Sequence, residues 1–136
     1  MRFVVLVKTN KESEAGVLPT REQLAEMGKF NEVLANDGVL LAAEGLQPTS
    51  KGARLRFDGG RTTVTDGPFA ETKELVGGFW IVQGGSKEEV VGRFISAPFD
   101  GGQEIEIRPI FEAEDFGENL PPEVRAQEER LRELAQ

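Results

Sequence analysis

The chain contains neither cysteine nor histidine, so acidic, basic and hydroxyl side chains must carry any chemistry that it performs. This composition excludes disulfides, thiolate nucleophiles, thiolate zinc sites and imidazole acid–base catalysis. The clearest candidate is Asp66, the first residue of the run DGPFAETKE. A carboxylate buried there beside Phe69 and Trp80 would act as a general base. The alternative is structural, because aspartate before Gly-Pro commonly caps a turn.

Further acidic and basic residues offer weaker chemistry. Glu71 and Lys73, in the same run, would form a proton-relay or anion-orienting pair, or else a solvated surface pair. Asp66, Glu104 and Glu106 could supply oxygen ligands to a hard cation, but their spacing does not match an EF-hand loop. The glycines fit neither a dinucleotide-binding fingerprint nor a P-loop. We therefore predict no metal site and no cofactor.

Charged side chains also alternate with apolar ones in two short runs. EIEIRP, residues 104–109, places Glu106 and Arg108 on the face opposite its isoleucines, and RLRF, residues 54–57, does the same for Arg56. Together with Phe69 and Trp80, these side chains would line a pocket for a small polar or anionic molecule. The alternative is a solvent-facing strand edge of alternating charge.

The distribution of charge limits the classes of partner. The formal net charge is −8, and residues 112–136 carry −5 of it. Binding to a phosphate backbone needs clustered lysine and arginine, which neither part of the chain supplies, so direct nucleic-acid binding is disfavoured. The apolar run at the amino terminus ends at Lys8, too early for a signal sequence or a membrane span. With no cysteine present, we expect a cytoplasmic protein without a membrane partner.

Apolar periodicity and turn signals predict the elements that position these residues. Thr20 and Gln23 form a capping-box pattern before an apolar helical stripe that ends at Asp37-Gly38, and Ser86 and Glu89 repeat the pattern. Leu120-Pro121-Pro122 introduces a last helix. We predict helices over 20–36, from 86 to about 97 and from 122 to 132 or beyond, strands over 2–8, 39–46, 78–83 and 104–109, and a hairpin of 54–57 with 61–65.

This order of elements predicts an α+β fold. The predicted order is strand, helix and strand, then an inserted hairpin, then strand, helix and strand again. This is a split βαβ arrangement, in which an antiparallel sheet carries both helices on one face. Several of the strands are apolar on both faces, so the second face also needs a cover. A second copy of the sheet would supply one, since burying several hundred Å² yields about 10 kcal/mol before association costs. We therefore predict a homodimer packed sheet to sheet.

The run DGPFAETKE, the following GGF and the final-strand EIRP resemble the YCII-related family, in its DGPF-motif branch. The resemblance covers residues 1 to about 112 and implies a ferredoxin-like domain that pairs into a dimeric α/β barrel. Some relatives are associated with extracytoplasmic-function sigma factors, and others are proposed to use a His–Asp pair. Without histidine that pair is absent here, and Asp66 is the position that matches the acid of the motif.

Two functions follow as hypotheses. The first is a small-ligand-binding or regulatory protein, with a transcription regulator as a partner. The alternative is an enzyme that acts by acid–base chemistry on a small polar or anionic substrate, with Asp66 as the base and Arg108 holding an anionic group. We expect one ferredoxin-like domain over residues 1–112 and an acidic tail helix over 113–136, with the apolar seam of the tail docked on the partner subunit.

Overall fold

A four-stranded antiparallel sheet and a separate hairpin form the β-structure, and a computed structural model describes residues 1–70 and 74–135. The sheet has the order β2-β5-β1-β6, which is the order of a ferredoxin-like domain, and the hairpin pairs β3 with β4. The strands are β1 (Arg2–Lys8), β2 (Leu40–Gly45), β3 (Ala53–Asp58), β4 (Arg61–Asp66), β5 (Val76–Gln83) and β6 (Ile105–Pro109). The predicted α+β class, antiparallel sheet and inserted hairpin are thus confirmed.

The helices also follow the prediction, with one short addition. They are α1 (Lys11–Glu14), α2 (Arg21–Asn36), α3 (Lys87–Phe94) and α4 (Pro122–Leu134). Helix α1 was not predicted, because four residues are too few to show an apolar period. Two short 3₁₀ segments, Thr49–Lys51 and Ala113–Asn119, were not predicted either.

Local capping explains where the two long core helices begin. The Gln23 backbone nitrogen donates to Thr20 Oγ1 over 3.1 Å, and the Thr20 nitrogen donates to Gln23 Oε1 over 2.8 Å, which completes the predicted capping box. Ser86 caps α3 by accepting from the Glu89 nitrogen over 3.2 Å. The Glu89 carboxylate accepts instead from the Gly85 nitrogen, one residue before the cap.

One face of the sheet forms the core with α2 and α3. Phe3 and Val5 of β1 are fully buried there, and the other buried members of the cluster are Leu34, Val39, Trp80, Val82, Val90 and Phe94. The apolar stripe of α2 that packs on the core is narrower than its sequence predicts. Leu24 and Val33 belong to the sequence pattern, but they remain 60% and 57% exposed. Packing of α2 is therefore centred on Met27, Phe30 and Leu34.

The opposite face of the sheet, here called the open face, is apolar and partly exposed. Val4 lies opposite Ile81, and Leu6 lies opposite Phe79 across β1 and β5. These four side chains point away from α2 and α3, because successive residues of a strand alternate between faces. All four are partly buried rather than buried.

The hairpin and the tail extend beyond this core. Every residue of β3 and β4 is exposed, and their turn uses Gly59 and Gly60 at φ of 54° and 87°, which glycine adopts without strain. Glu112, at the start of the tail, accepts from Arg2 of β1 over 2.9 Å, and within the tail Arg125 of α4 contacts Glu114 over 3.0 Å. Among the described residues, no helix has the length and apolar character needed to cross a bilayer.

Candidate functional site

The glycine pair Gly77-Gly78 lets three backbone segments meet at one end of the sheet. A Cβ atom on Gly78 would lie 3.0 Å from the Glu44 carbonyl oxygen, and one on Gly77 would lie 3.3 Å from Thr9 Oγ1. The register of β1 with β5 also shifts here, because Val7 pairs with Gly78 while Lys8 pairs with Val76. A β-bulge and a close approach of a neighbouring backbone are two roles that glycine takes in strands, and both are present at this pair.

A cleft of about 220 Å³ opens between this end of the sheet and α2. Its apolar wall includes Met27, Trp80 and Phe99. Glu44 is the one titratable side chain among its lining residues, and Asn31 is the one side-chain amide. The cleft is smaller than the pockets of about 300–1,000 Å³ that hold drug-sized ligands, so it suits a correspondingly smaller molecule.

Trp80 and Asn31 are joined at the wall of the cleft. The Trp80 indole nitrogen donates to Asn31 Oδ1 over 2.7 Å, although the indole is 4% exposed. Edge-to-face contacts with Phe94 and Phe99, with ring centroids 5.1 and 6.0 Å apart, fix the plane of the indole. Since indole can only donate, the Asn31 oxygen must accept, and its amide nitrogen remains as a donor at the cleft.

The Asp-Gly-Pro turn at the end of β4 packs against the 3₁₀ segment that begins at Thr49. A Cβ atom on Gly67 would collide with the backbone carbonyl of Thr49, so only glycine fits there. The Phe69 nitrogen donates to Thr49 Oγ1 over 3.0 Å, and Arg54 lies 3.9 Å above the ring of Phe69. These contacts hold the two ends of the hairpin against the turn that precedes it.

Glu14 of α1 binds the same 3₁₀ segment. Its carboxylate accepts from Thr49 Oγ1 over 2.6 Å and from the Thr49 backbone nitrogen over 2.8 Å. The hydroxyl bond first, and then the backbone bond, lower the pKa of Glu14 against a small opposing effect of burial. The segment that contains α1 is thereby tied to the turn that precedes the hairpin.

On the open face, the charged residues of β6 form a loose chain of ion pairs. Glu106 lies 3.7 Å from Lys8 Nζ and 3.9 Å from Arg108, measured between the charged nitrogen and oxygen atoms. At the far end of the sheet, Arg2 lowers the pKa of Glu112 mainly through its hydrogen bond. Within residues 1–70 and 74–135, no group of three acidic side chains is placed to hold a metal ion.

Comparison with known proteins assigns the family. The model of the YCII-related domain matches residues 1–114. The chain belongs to the YCII-related family. An uncharacterized protein of Rhizobium meliloti is 35% identical over 103 residues, which are 74% of this chain and 78% of that protein. The family resemblance is therefore confirmed, whereas membership of the DGPF-motif branch stays a prediction.

A solved structure of low similarity is also found. It is the 5-chloro-2-hydroxyhydroquinone dehydrochlorinase from Burkholderia phenoliruptrix in complex with 2,5-dihydroxybenzoquinone, 18% identical. The match covers 84% of this chain and 98% of that one, with a TM-score of 0.39.

The residues predicted for the site of this YCII-related protein do not form one pocket within the chain. Trp80 faces α2 and α3, whereas Glu106 and Arg108 lie on the open face, because Trp80 pairs with Val5 and Glu106 pairs with Leu6. The predicted cleft that combined Trp80 with these charges is therefore wrong for a single chain. Strand β5 is apolar on both faces, so its sequence did not reveal which face Trp80 occupies.

The hairpin residues stand apart from the cleft as well. Asp66 is exposed at the end of β4 opposite Ala53, so the burial expected for a general base is absent. Arg56 is exposed on β3, and Phe69 is half-buried under Arg54. The two remaining predicted residues, Glu71 and Lys73, lie outside the described residues.

Apart from Trp80, sequence reasoning missed the residues that line the cleft, including Asn31 and Phe99. One signal was present for Asn31: it follows Met27 by four positions and precedes Leu34 by three, so it shares their side of α2. A polar residue on the core-facing side of a helix needs a partner, and here that partner is Trp80. No comparable signal marked Phe99, which lies in a loop.

Proposed function

We propose that this YCII-related protein binds a small molecule with an apolar body and one hydrogen-bond acceptor in the cleft beside Trp80. The observation that carries the proposal is the pairing of an apolar cleft with a single oriented amide, that of Asn31. An apolar cavity of about 150 Å³ is enough for benzene, so about 220 Å³ suits a ligand of roughly ten non-hydrogen atoms. The Asn31 amide nitrogen would donate to its carbonyl, carboxylate or similar oxygen.

The expected affinity is modest because the ligand is small. Roughly ten atoms at about −0.5 kcal/mol each give a dissociation constant on the order of 0.2 mM. A ligand at about 2 mM, ten times that value, would then stabilise the fold by roughly 1.4 kcal/mol. For a domain of this size that is a rise of roughly 4 °C in melting temperature, which thermal shift resolves.

The experiment uses the chain's single tryptophan. Single-ring and short aliphatic acids, amides and ketones are titrated while the melting temperature and the fluorescence of Trp80 are recorded. Asn31→Asp keeps an acceptor for the indole and removes the donor offered to the ligand, whereas Ala43→Leu fills the cleft. Both variants should fold and should bind at least about tenfold more weakly. Absence of any response, or responses unchanged in both variants, would refute the proposal.

Binding is favoured over catalysis because Asp66 is not among the residues that line the cleft. In the enzymatic alternative, a bound compound would be converted, and Asp66→Asn would abolish conversion without affecting binding. Mass spectrometry of each ligand after incubation with the protein distinguishes the two functions. The transcription-regulator partner implied by the family resemblance belongs to the binding function, with ligand occupancy as the signal.

We also propose that the protein acts as a homodimer packed through its open face. The support is that α2 and α3 cover only the face of Phe3 and Val5, which leaves Val4, Leu6, Phe79 and Ile81 partly exposed. A second copy would cover this apolar surface with an identical one, as a two-fold interface requires.

A further inference from the structure

The hairpin has an apolar face that none of the described residues of its own chain covers. Cross-strand pairing places Leu55 opposite Val64 and Phe57 opposite Thr62, so these four side chains share one face, here called the hairpin face. Leu55, Phe57 and Val64 are 56%, 78% and 62% exposed. A two-stranded hairpin is marginally stable without packing on one side. Its apolar face therefore needs another surface to pack against.

The tail carries a second exposed apolar surface. Phe111 and Phe116 stack with ring centroids 4.9 Å apart, yet they remain 66% and 40% exposed. On α4, Leu131 and Leu134 lie on one side of the helix and are 57% and 82% exposed. These four residues are called the tail surface. Ion pairs from Arg125 to Glu114 and from Arg132 to Glu112 tie α4 to the start of the tail, but they leave this surface open.

The hairpin and the tail leave the sheet at diagonally opposite corners. They follow β2 and β6, which are the two outer strands. Strand β2 runs parallel to β1, because both are antiparallel to β5, whereas β6 is antiparallel to β1. The carboxyl ends of β2 and β6 therefore lie at opposite ends of a sheet that is about 14 Å wide.

Two sheets can stack with their strands crossing at about 90°, a common packing angle, and they exchange these corners when the two-fold axis crosses the diagonal that joins them. The two-fold axis then lies in the plane between the sheets and perpendicular to the diagonal, so the hairpin corner of one copy lies over the tail corner of the other. The tail starts on the correct side of the sheet, since Glu112 binds Arg2, which shares the open face with Val4.

Charge favours the same contact. Residues 51–66 hold four basic and two acidic side chains, whereas residues 112–136 carry −5. The basic groups of the hairpin include Arg56 and Arg61, which lie on the face opposite the hairpin face, and Lys51 lies at its base. An acidic helix beside this hairpin would bring two segments of opposite net charge close together, and the two apolar surfaces would exclude water between them.

We infer that the partner of the hairpin face is the tail surface of a second copy of this chain, reciprocally, in a two-fold dimer. This inference rests on the open-face homodimer proposed above. Each subunit would then place its hairpin over the tail of the other, so that both appendages become ordered parts of the interface. The acidic tail of each subunit would pack on the hairpin of the other and hold it in place.

Cross-linking of the full chain tests this contact, because the natural sequence has no cysteine to interfere. Thr62→Cys marks the hairpin face, and Gln127→Cys marks α4 one turn before Leu131. The two variants, with different affinity tags, are co-expressed and treated with a short bismaleimide. The control pair combines Thr62→Cys with Glu32→Cys, which is exposed on α2 in the helix layer. The hairpin–tail pair should give at least about tenfold more covalent heterodimer than the control pair.

Sedimentation of the same samples separates the two proposals. A monomer would refute both the open-face dimer and the hairpin–tail contact. A dimer in which the hairpin–tail pair cross-links no faster than the control pair would refute this contact alone. A dimer with selective hairpin–tail cross-linking supports both.

Discussion

The indole nitrogen of Trp80 and the amide oxygen of Asn31 lie 2.7 Å apart, and this bond joins β5 to α2 at the edge of the cleft. Asn31→Leu removes the acceptor and leaves a buried indole donor without a partner, so the free energy of unfolding should fall by about 1–3 kcal/mol. Asn31→Asp keeps an acceptor and should lose much less. Urea denaturation followed by Trp80 fluorescence measures both.

The matched control for this bond is Glu32→Leu, the neighbouring but exposed position on α2. It should change the free energy of unfolding by less than about 0.5 kcal/mol. Equal stability of Asn31→Leu and Asn31→Asp would mean that the hydrogen bond contributes nothing.

Gly67 should tolerate no side chain, because its Cβ position coincides with the Thr49 carbonyl. In Gly67→Ala the backbone of the turn must move, and we expect a loss of about 2 kcal/mol or more. Gly28→Ala is the opposite case, since Gly28 lies within α2 with open space around its Cβ position. That variant should gain about 0.5–1 kcal/mol. Chemical denaturation of both variants compares them, and a neutral Gly67→Ala would contradict the close packing.

Local patterns predicted most of the fold, whereas the site depended on long-range contacts. The Thr20–Gln23 capping box spans three residues, so the sequence shows both partners together. Trp80 and Asn31 are 49 residues apart, and no local period relates them. The side of the sheet that Trp80 faces was equally hidden, because both faces of β5 are apolar and only packing by the helices distinguishes them.

Long-range contacts also determine the Asp-Gly-Pro turn next to the hairpin. The Asp-Gly-Pro signal predicted a turn after β4, and a turn is present there. What it could not show is that Thr49, 35 residues after Glu14, would be the partner of both Glu14 and Phe69. Glycine is required at position 67 because the Thr49 backbone lies against it. The residues of the turn alone do not predict that contact.

Glu14 makes part of the stability dependent on pH. Its pKa is lowered by the bonds from Thr49, so its stabilising effect is full above the unfolded value near 4.5 and is lost as the pH falls through the lower folded value. Glu14→Gln should therefore melt below the natural chain at about pH 7, and the two should converge in acid. Glu12→Gln on the same helix is the control. A difference that stayed constant down to about pH 3 would contradict this linkage.

Ile81 tests the open-face dimer, because it lies beside Val4 near the middle of that face. In Ile81→Lys a charge replaces an apolar side chain at the proposed interface, where two-fold symmetry would also bring the substituted residues of both copies into the same contact. We expect the sedimenting species to change from dimer to monomer. Val33→Lys, at a 57% exposed position on α2, introduces the same charge outside the interface and should remain dimeric. Equal behaviour of the two variants would place the interface elsewhere.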